Sequence, residues 1–137
     1  MTADFHFELI GVDDVSRILR ANAQTANAQL SNKVRHYGAL LRTRVMAAAS
    51  GRPGPRAITG DYRRSWQHEY RGGGGSFTSM VGTSAPQGRR LEFGFHGQDS
   101  LGRNYNQPPF PHARPAFDAT APEFEKAVTD MIAKWSL

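Results

Sequence analysis

Residues 12–48, VDDVSRILRANAQTANAQLSNKVRHYGALLRTRVMAA, decide the fold because an apolar side chain recurs at every third or fourth position. The mean spacing of 3.6 residues is the period of an α-helix, and it predicts one amphipathic helix about 55 Å long. Gly38 lies inside this pattern and lowers the helix propensity by about 1 kcal/mol relative to alanine. The apolar stripe consists of Val12, Val15, Leu19, Ala23, Ala26, Leu30, Val34, Tyr37, Leu41, Val45 and Ala48.

The middle of this helix, ANAQTANAQLSN at residues 21–32, carries no charge on any face. One interpretation is an alanine-rich surface of good helix propensity. The other is close packing against a neighbouring subunit, because a solvated helix face usually carries Lys and Glu. On the second interpretation Ala23 and Ala26 are intersubunit contacts, and charge introduced there weakens assembly more than folding.

The segments on either side of the helix predict a small antiparallel sheet and a second helix. FHFELIG alternates large apolar and polar side chains, which is the period of a half-buried strand. We therefore predict a single α+β domain over residues 1–137, with both helices packed on the sheet. Its other elements are strands at 5–11, 63–71 and 76–83, a short helix at 85–94, a loop at 95–113 and a helix ending at Trp135.

Two of these segments carry further expectations. The loop at 95–113 is rich in Gly, Asn and Pro, and we expect it to become ordered only on assembly. Thr120 and Glu123 have capping-box spacing, so the last helix either begins near Pro122 or continues from Pro115 with a kink.

The charge is concentrated in one part of the chain. The formal net charge is +5, and residues 15–60 contain eight Lys or Arg residues and no acid. A helix face that carries these bases and no acid suits binding to nucleic-acid phosphates or to an acidic protein partner, and the pattern does not distinguish between these two partners. The chain contains no cysteine, so it forms no disulfide or thiolate metal site. No membrane span or signal peptide is predicted, and this composition suits assembly in a reducing cytoplasm.

No set of residues predicts catalysis, a metal or a cofactor. The glycine run at 72–75 lies between two predicted strands and lacks the Gly-Lys-Ser/Thr of a phosphate-binding loop. The five histidines are scattered, without metal-ligand spacing. Ser65, His68 and Glu69 contain the residue types of a hydrolase, but strand alternation sends Ser65 and His68 to opposite faces. We therefore expect a protein that is not an enzyme.

The chain contains four short motifs, in the order TGDYRRSW (59–66), VGTSAP (81–86), LEFG (91–94) and PPFPHARPAFDAT (108–120). Together they resemble the gene-product-ten-like family of tailed bacteriophages, whose members are tail-completion or head-to-tail joining proteins. The chain departs from the family pattern at Tyr62, where relatives usually have Leu, and ahead of LEFG, where it has Gln-Gly-Arg-Arg.

The resemblance implies a structural protein of the virion neck, assembled in the host cytoplasm into a ring through which the genome passes. A hexamer would match the symmetry of the tail, and twelve subunits is the other ring number considered. Implied partners are a second copy of the chain, a head connector, adaptor or head-closure protein, a tail-tube or tail-terminator protein, and DNA contacted without sequence specificity. The alternative function is a monomeric basic nucleic-acid-binding protein.

Within a ring, the arginines of residues 50–66 are expected to divide their roles. Arg52 and Arg56 lie on a proline-stiffened loop and are expected to face the DNA channel, or else to form a protein joint. Arg63 and Arg64 enter a predicted strand, so one of them is expected to pair with Glu92 in the same or an adjacent subunit. Phe110 is expected to be a partner-contact anchor.

Overall fold

The structure is a computed structural model that describes residues 5–10 and 23–134, with side chains described from Thr25 onward. The start of the predicted long helix, including Arg17 and Arg20, and the end of the last helix at Trp135 lie outside these residues. The fold is α+β, as predicted. In chain order the elements are β1 (Phe5–Ile10), α1 (Ala23–Ala48), α2 (Asp61–Arg64), β2 (Gln67–Gly73), β3 (Ser76–Thr83), α3 (Gly88–Phe93), β4 (Phe95–Gln98), β5 (Asn104–Gln107) and α4 (Ala113–Ala133).

In the described part of the chain, the larger sheet is antiparallel with strand order β1-β3-β2. The central strand β3 pairs Val81 with Phe7 of β1 and with His68 of β2. Phe77, Ser79 and Val81 are buried, whereas the residues between them are half-buried, so the predicted alternation of this strand is confirmed.

Helix α1 packs on both the sheet and α4, and its apolar stripe contributes to two adjacent core clusters. One cluster joins Leu30 and Val34 to Phe124 and Val128 of α4. The other joins Leu41 and Val45 to Trp66, with Val81, Ala113 and Ala116. The 3.6-residue period therefore identified the buried face of the helix correctly.

Gly38 lies where α1 closely approaches the sheet. A Cβ atom built at this position would overlap the Nε2 of His68 and the Oγ of Ser79. The Ser79 hydroxyl donates a hydrogen bond of 2.6 Å to the backbone carbonyl of Val34 in the same helix. The glycine thus permits a contact that any larger residue would displace.

Ala26 is completely buried within the first core cluster, against Leu30 and Val34. The prediction that it is an intersubunit contact is therefore wrong, because the chain's own sheet and α4 already cover it. Ala23 begins α1 in the structure, but its side chain is not among those described. Ala28, in the same uncharged stretch, is exposed.

Helix α4 runs without interruption from Ala113 to Ala133, with Pro122 inside it. The prediction that the helix begins near Pro122 is therefore wrong. The helix begins two residues before Pro115. Thr120 is not a cap, since its hydroxyl donates to the carbonyl of Ala116 at 2.8 Å. Arg44 of α1 donates to the Thr120 hydroxyl at 3.0 Å.

The segment predicted as a loop contains an antiparallel hairpin, formed by β4 and β5. Asp99 organises its turn by accepting hydrogen bonds from the backbone N–H groups of Leu101 and Arg103, both at 2.9 Å. Its other carboxylate oxygen accepts from the Arg103 side chain at 2.6 Å. The strands were missed because almost all of their residues are exposed, which leaves no apolar alternation to detect.

Candidate functional site

Side-chain hydrogen bonds bring the family-like motifs together at one junction. The hydroxyl of Tyr62 lies 2.6 Å from Nε2 of His112, which joins TGDYRRSW to PPFPHARPAFDAT. The hydroxyls of Ser65 and Thr83 lie 2.7 Å apart, which joins the first motif to VGTSAP. Residues of three distant segments therefore meet beside the buried ring of Trp66.

The fourth motif, LEFG, contributes Glu92 to the same junction. Its carboxylate accepts hydrogen bonds from the backbone N–H groups of His112 and Ala113, both at 3.0 Å, and of Arg114 at 2.9 Å. These groups belong to the first turn of α4, where helical N–H groups have no partner within the helix. Glu92 thus caps a helix that begins 21 residues later in the chain.

The prediction that Glu92 pairs with Arg63 or Arg64, or contacts a partner, is wrong for this chain. The residue is only 2% exposed, its oxygens are engaged by backbone N–H groups at the start of α4, and the Nδ1 of His112 lies 3.0 Å from one of them. Burial alone would raise the pKa of this carboxyl, but hydrogen bonds from the His112 side chain and from the three N–H groups outweigh burial and lower it to about 2. Glu92 is therefore an ionised structural residue.

The hydrogen-bond partners of His112 define its tautomer. Its Nδ1 lies 2.8 Å from the carbonyl oxygen of Phe110, which can only accept, so Nδ1 carries the proton. In the neutral ring Nε2 then accepts from the hydroxyl of Tyr62. Burial raises the pKa of Tyr62, which keeps this hydroxyl protonated and able to donate. Because His112 is completely buried, the Tyr62–His112–Glu92 series has no exposed imidazole and is suited to holding the junction together.

Arg63 and Arg64 lie in the short helix α2 and not in a strand, so the expectation that they alternate across a sheet is wrong. Gly60, with φ of 83°, turns the chain into this helix, and the backbone N–H of Arg64 returns to its carbonyl. Arg64 pairs with Asp61 at 2.6 Å. Arg63 donates to the Ser50 hydroxyl at 3.3 Å.

A groove of about 650 Å³ lies on the outer side of this junction. The loop at 50–60, α2, α3 and the segment after β5 form its walls. Ile58 is 93% exposed at its edge. The lining residues of this groove, referred to below as the arginine groove, are Ala49, Arg52, Pro55, Arg56, Ala57, Ile58, Thr59, Gly60, Asp61, Tyr62, Arg63, Gln87, Leu91, Gln107 and Phe110.

The arginines of this groove differ in how firmly they are held. Arg52 stacks on Phe110, with its guanidinium carbon 3.8 Å from the ring centroid, and donates to the carbonyl of Gly54 at 2.9 Å. Arg56 is exposed and forms no hydrogen bond or ion pair with any residue that the structure describes. Phe110, expected to be a partner anchor, is thus a half-buried support for Arg52.

The basic face of α1 is largely used inside the molecule, which the sequence did not indicate. Arg42 donates to the backbone carbonyl of Trp66 at 2.8 Å. Arg44 pairs with Glu123 of α4 at 3.0 Å. Arg35 stacks on Tyr70, at 4.2 Å from the ring centroid. These cations connect the helix to the rest of the fold.

The expectation that strand alternation sends Ser65 and His68 to opposite faces is wrong in its premise, because Ser65 is the C-cap residue of α2 and β2 begins only at Gln67. His68 lies 2.9 Å from the Ser79 hydroxyl, which is buried and donates to the Val34 carbonyl. Within the described residues, no three His, Cys, Asp or Glu side chains are grouped so as to hold a metal ion.

Comparisons with known proteins returned no match to a family model, to a curated protein or to a solved structure. None of the helices within residues 23–134 is long and apolar enough to cross a membrane.

Proposed function

We propose that this chain is a structural joining protein of a tailed-phage virion neck, assembled into a ring between the head connector and the tail. A ring of six subunits would match the tail, and the genome would pass through it. The observation that carries the proposal is the convergence of all four family-like motifs on one buried, hydrogen-bonded junction.

This convergence gives the resemblance a physical basis. Residues shared by a family for catalysis would be expected to project into an open cleft. Here the ionisable side chains of the motifs, Glu92 and His112, are buried, and the contact between them joins α3 to the start of α4. Motifs that build a scaffold support a structural role.

The alternative, a monomeric nucleic-acid-binding protein, relies on the basic face of α1. Of its described arginines, Arg42 and Arg44 are engaged by internal carbonyl and carboxylate groups. Fewer cations are therefore available for phosphates than the net charge suggests. This difference favours the joining protein.

Native mass spectrometry and negative-stain imaging of the purified protein test the proposal, alone and with a head connector. We expect closed rings of uniform subunit number, in the free protein or after the connector is added. A protein that stays monomeric in both conditions and binds duplex DNA with steep salt dependence would replace the proposal with the alternative.

The exposed, uncharged side of α1 is the part of the proposed ring interface that can be tested without unfolding the chain. Ala28→Glu places a charge on an exposed position. We expect it to prevent ring formation while leaving the unfolding transition within about 0.5 kcal/mol of the wild type. Normal rings from this variant would exclude this face of α1 as the interface.

A further inference from the structure

The arginine groove combines an apolar lining with a positive rim, and nothing in the proposed ring explains both. We infer that it binds a segment of a partner protein in which an aliphatic or aromatic side chain is flanked by carboxylates. The inference rests on the proposed joining function, since a joining protein must hold a segment of another virion protein.

The charge of the groove selects an acidic segment. Arg52, Arg56 and Arg63 line it, whereas its only acid among the described residues is Asp61. That carboxylate already pairs with Arg64 at 2.6 Å. Charge complementarity at the rim of an interface selects the partner and accelerates its association.

Individual arginines are also prepared to receive carboxylates. Arg56 has an unoccupied guanidinium, which can bind a carboxylate through two parallel hydrogen bonds. Arg52 is already oriented by Phe110 and by the Gly54 carbonyl, so less side-chain entropy is lost when it binds.

The apolar lining separates a protein segment from nucleic acid. Ile58 is 93% exposed, and Leu91 and Phe110 are half-buried beside it. Phosphates gain nothing from such surface, whereas an inserted Leu, Ile or Phe side chain would bury it. The volume of about 650 Å³ also falls in the range of sites that enclose a few groups of a ligand. A duplex contacted through its phosphates needs no such recess.

Selection from a random library of peptides of about twelve residues, a length that spans roughly 40 Å when extended, tests the inference with the wild-type protein. We expect the enriched peptides to combine Asp or Glu with Leu, Ile or Phe. The Kd of one enriched peptide is then measured by fluorescence anisotropy for variants of the groove. Arg56→Glu and Ile58→Ser should each weaken binding by about tenfold.

Two matched variants control for charge and for surface apolarity. Arg89→Glu changes an exposed arginine outside the groove, and Leu101→Ser removes an exposed leucine from the β4–β5 turn, where it is 75% exposed. Both should leave the Kd within about twofold, since neither touches the groove.

Two outcomes would overturn the inference. One is the enrichment of no peptide, or of basic peptides only. The other is binding that Arg89→Glu weakens as much as Arg56→Glu does. If no peptide is enriched and a duplex of about 20 base pairs binds with an affinity that Arg56→Glu lowers, the groove contacts phosphates and the inference is overturned.

Ring formation is scored separately, so the two proposals fail independently. Rings without peptide binding would overturn only this inference, whereas peptide binding without rings, with or without a head connector, would overturn only the neck assembly.

Discussion

Glu92→Gln should remove a large part of the stability of the fold, because this carboxylate caps the first turn of α4. Three backbone N–H groups donate to its oxygens, and the Nδ1 of His112 lies 3.0 Å from one of them. An amide keeps an oxygen acceptor, but its NH₂ group then faces donors. The substitution also removes the charge that the start of a helix favours.

The magnitude follows from the pKa of this carboxyl. Lowering it from the ordinary 4.5 to about 2 corresponds to about 3 kcal/mol, at roughly 1.4 kcal/mol for each pH unit. The pKa is lower in the folded state than in the unfolded chain, so this stabilisation is complete above pH 4.5 and is lost as the pH falls toward 2. At pH 3 about 1.4 kcal/mol should remain.

Urea denaturation followed by tryptophan fluorescence measures the effect at pH 7 and at pH 3. Glu92→Gln should lower the free energy of unfolding by about 3 kcal/mol at pH 7 and by about half of that at pH 3. Glu125→Gln is the matched control, since Glu125 is exposed on the same helix, and it should change stability by less than about 0.5 kcal/mol. A loss for Glu92→Gln below about 1 kcal/mol at pH 7, or an equal loss at both pH values, would refute the reasoning.

Thermal or urea unfolding tests the remaining predictions. Gly38→Ala should destabilise by about 1–2 kcal/mol, because the overlap with Ser79 costs more than the roughly 1 kcal/mol gained in helix propensity, and a stabilised variant would contradict the close approach. Tyr62→Phe should cost about 1–2 kcal/mol by leaving the Nε2 of His112 without a donor, and an unchanged midpoint would show that the hydrogen bond is not needed. Ala26→Glu should unfold the chain instead of only blocking assembly, and a folded variant that fails to assemble would restore the original interface prediction.

The sequence by itself determined which elements form the core. The 3.6-residue spacing identified the buried face of α1, and the alternation of Phe77, Ser79 and Val81 identified the inner face of β3. Both patterns depend on burial, and the polarity of each side chain by itself indicates whether that residue is buried or exposed. The α+β class followed from these patterns and from the apolar face of the last helix.

Only the tertiary structure decided which residues are joined to one another. Glu92 meets the start of α4, and Arg44 meets Glu123, because the fold brings together positions that lie 20 and 79 residues apart. The sequence showed that these groups are charged, and it suggested a solvated face or a partner subunit. Their actual partners are internal.

The arginine groove depends on tertiary structure for the same reason. Its lining comes from four segments, and although the sequence marked the loop at 50–60 and the motifs that contain Tyr62, Leu91 and Phe110, it did not place them at one surface. Ile58 and Leu91 belong to no apolar periodicity that would place them at a shared surface. Periodic patterns report whether a side chain is buried, whereas hydrogen bonds and grooves require the relative positions of several segments, which are fixed only when the chain folds.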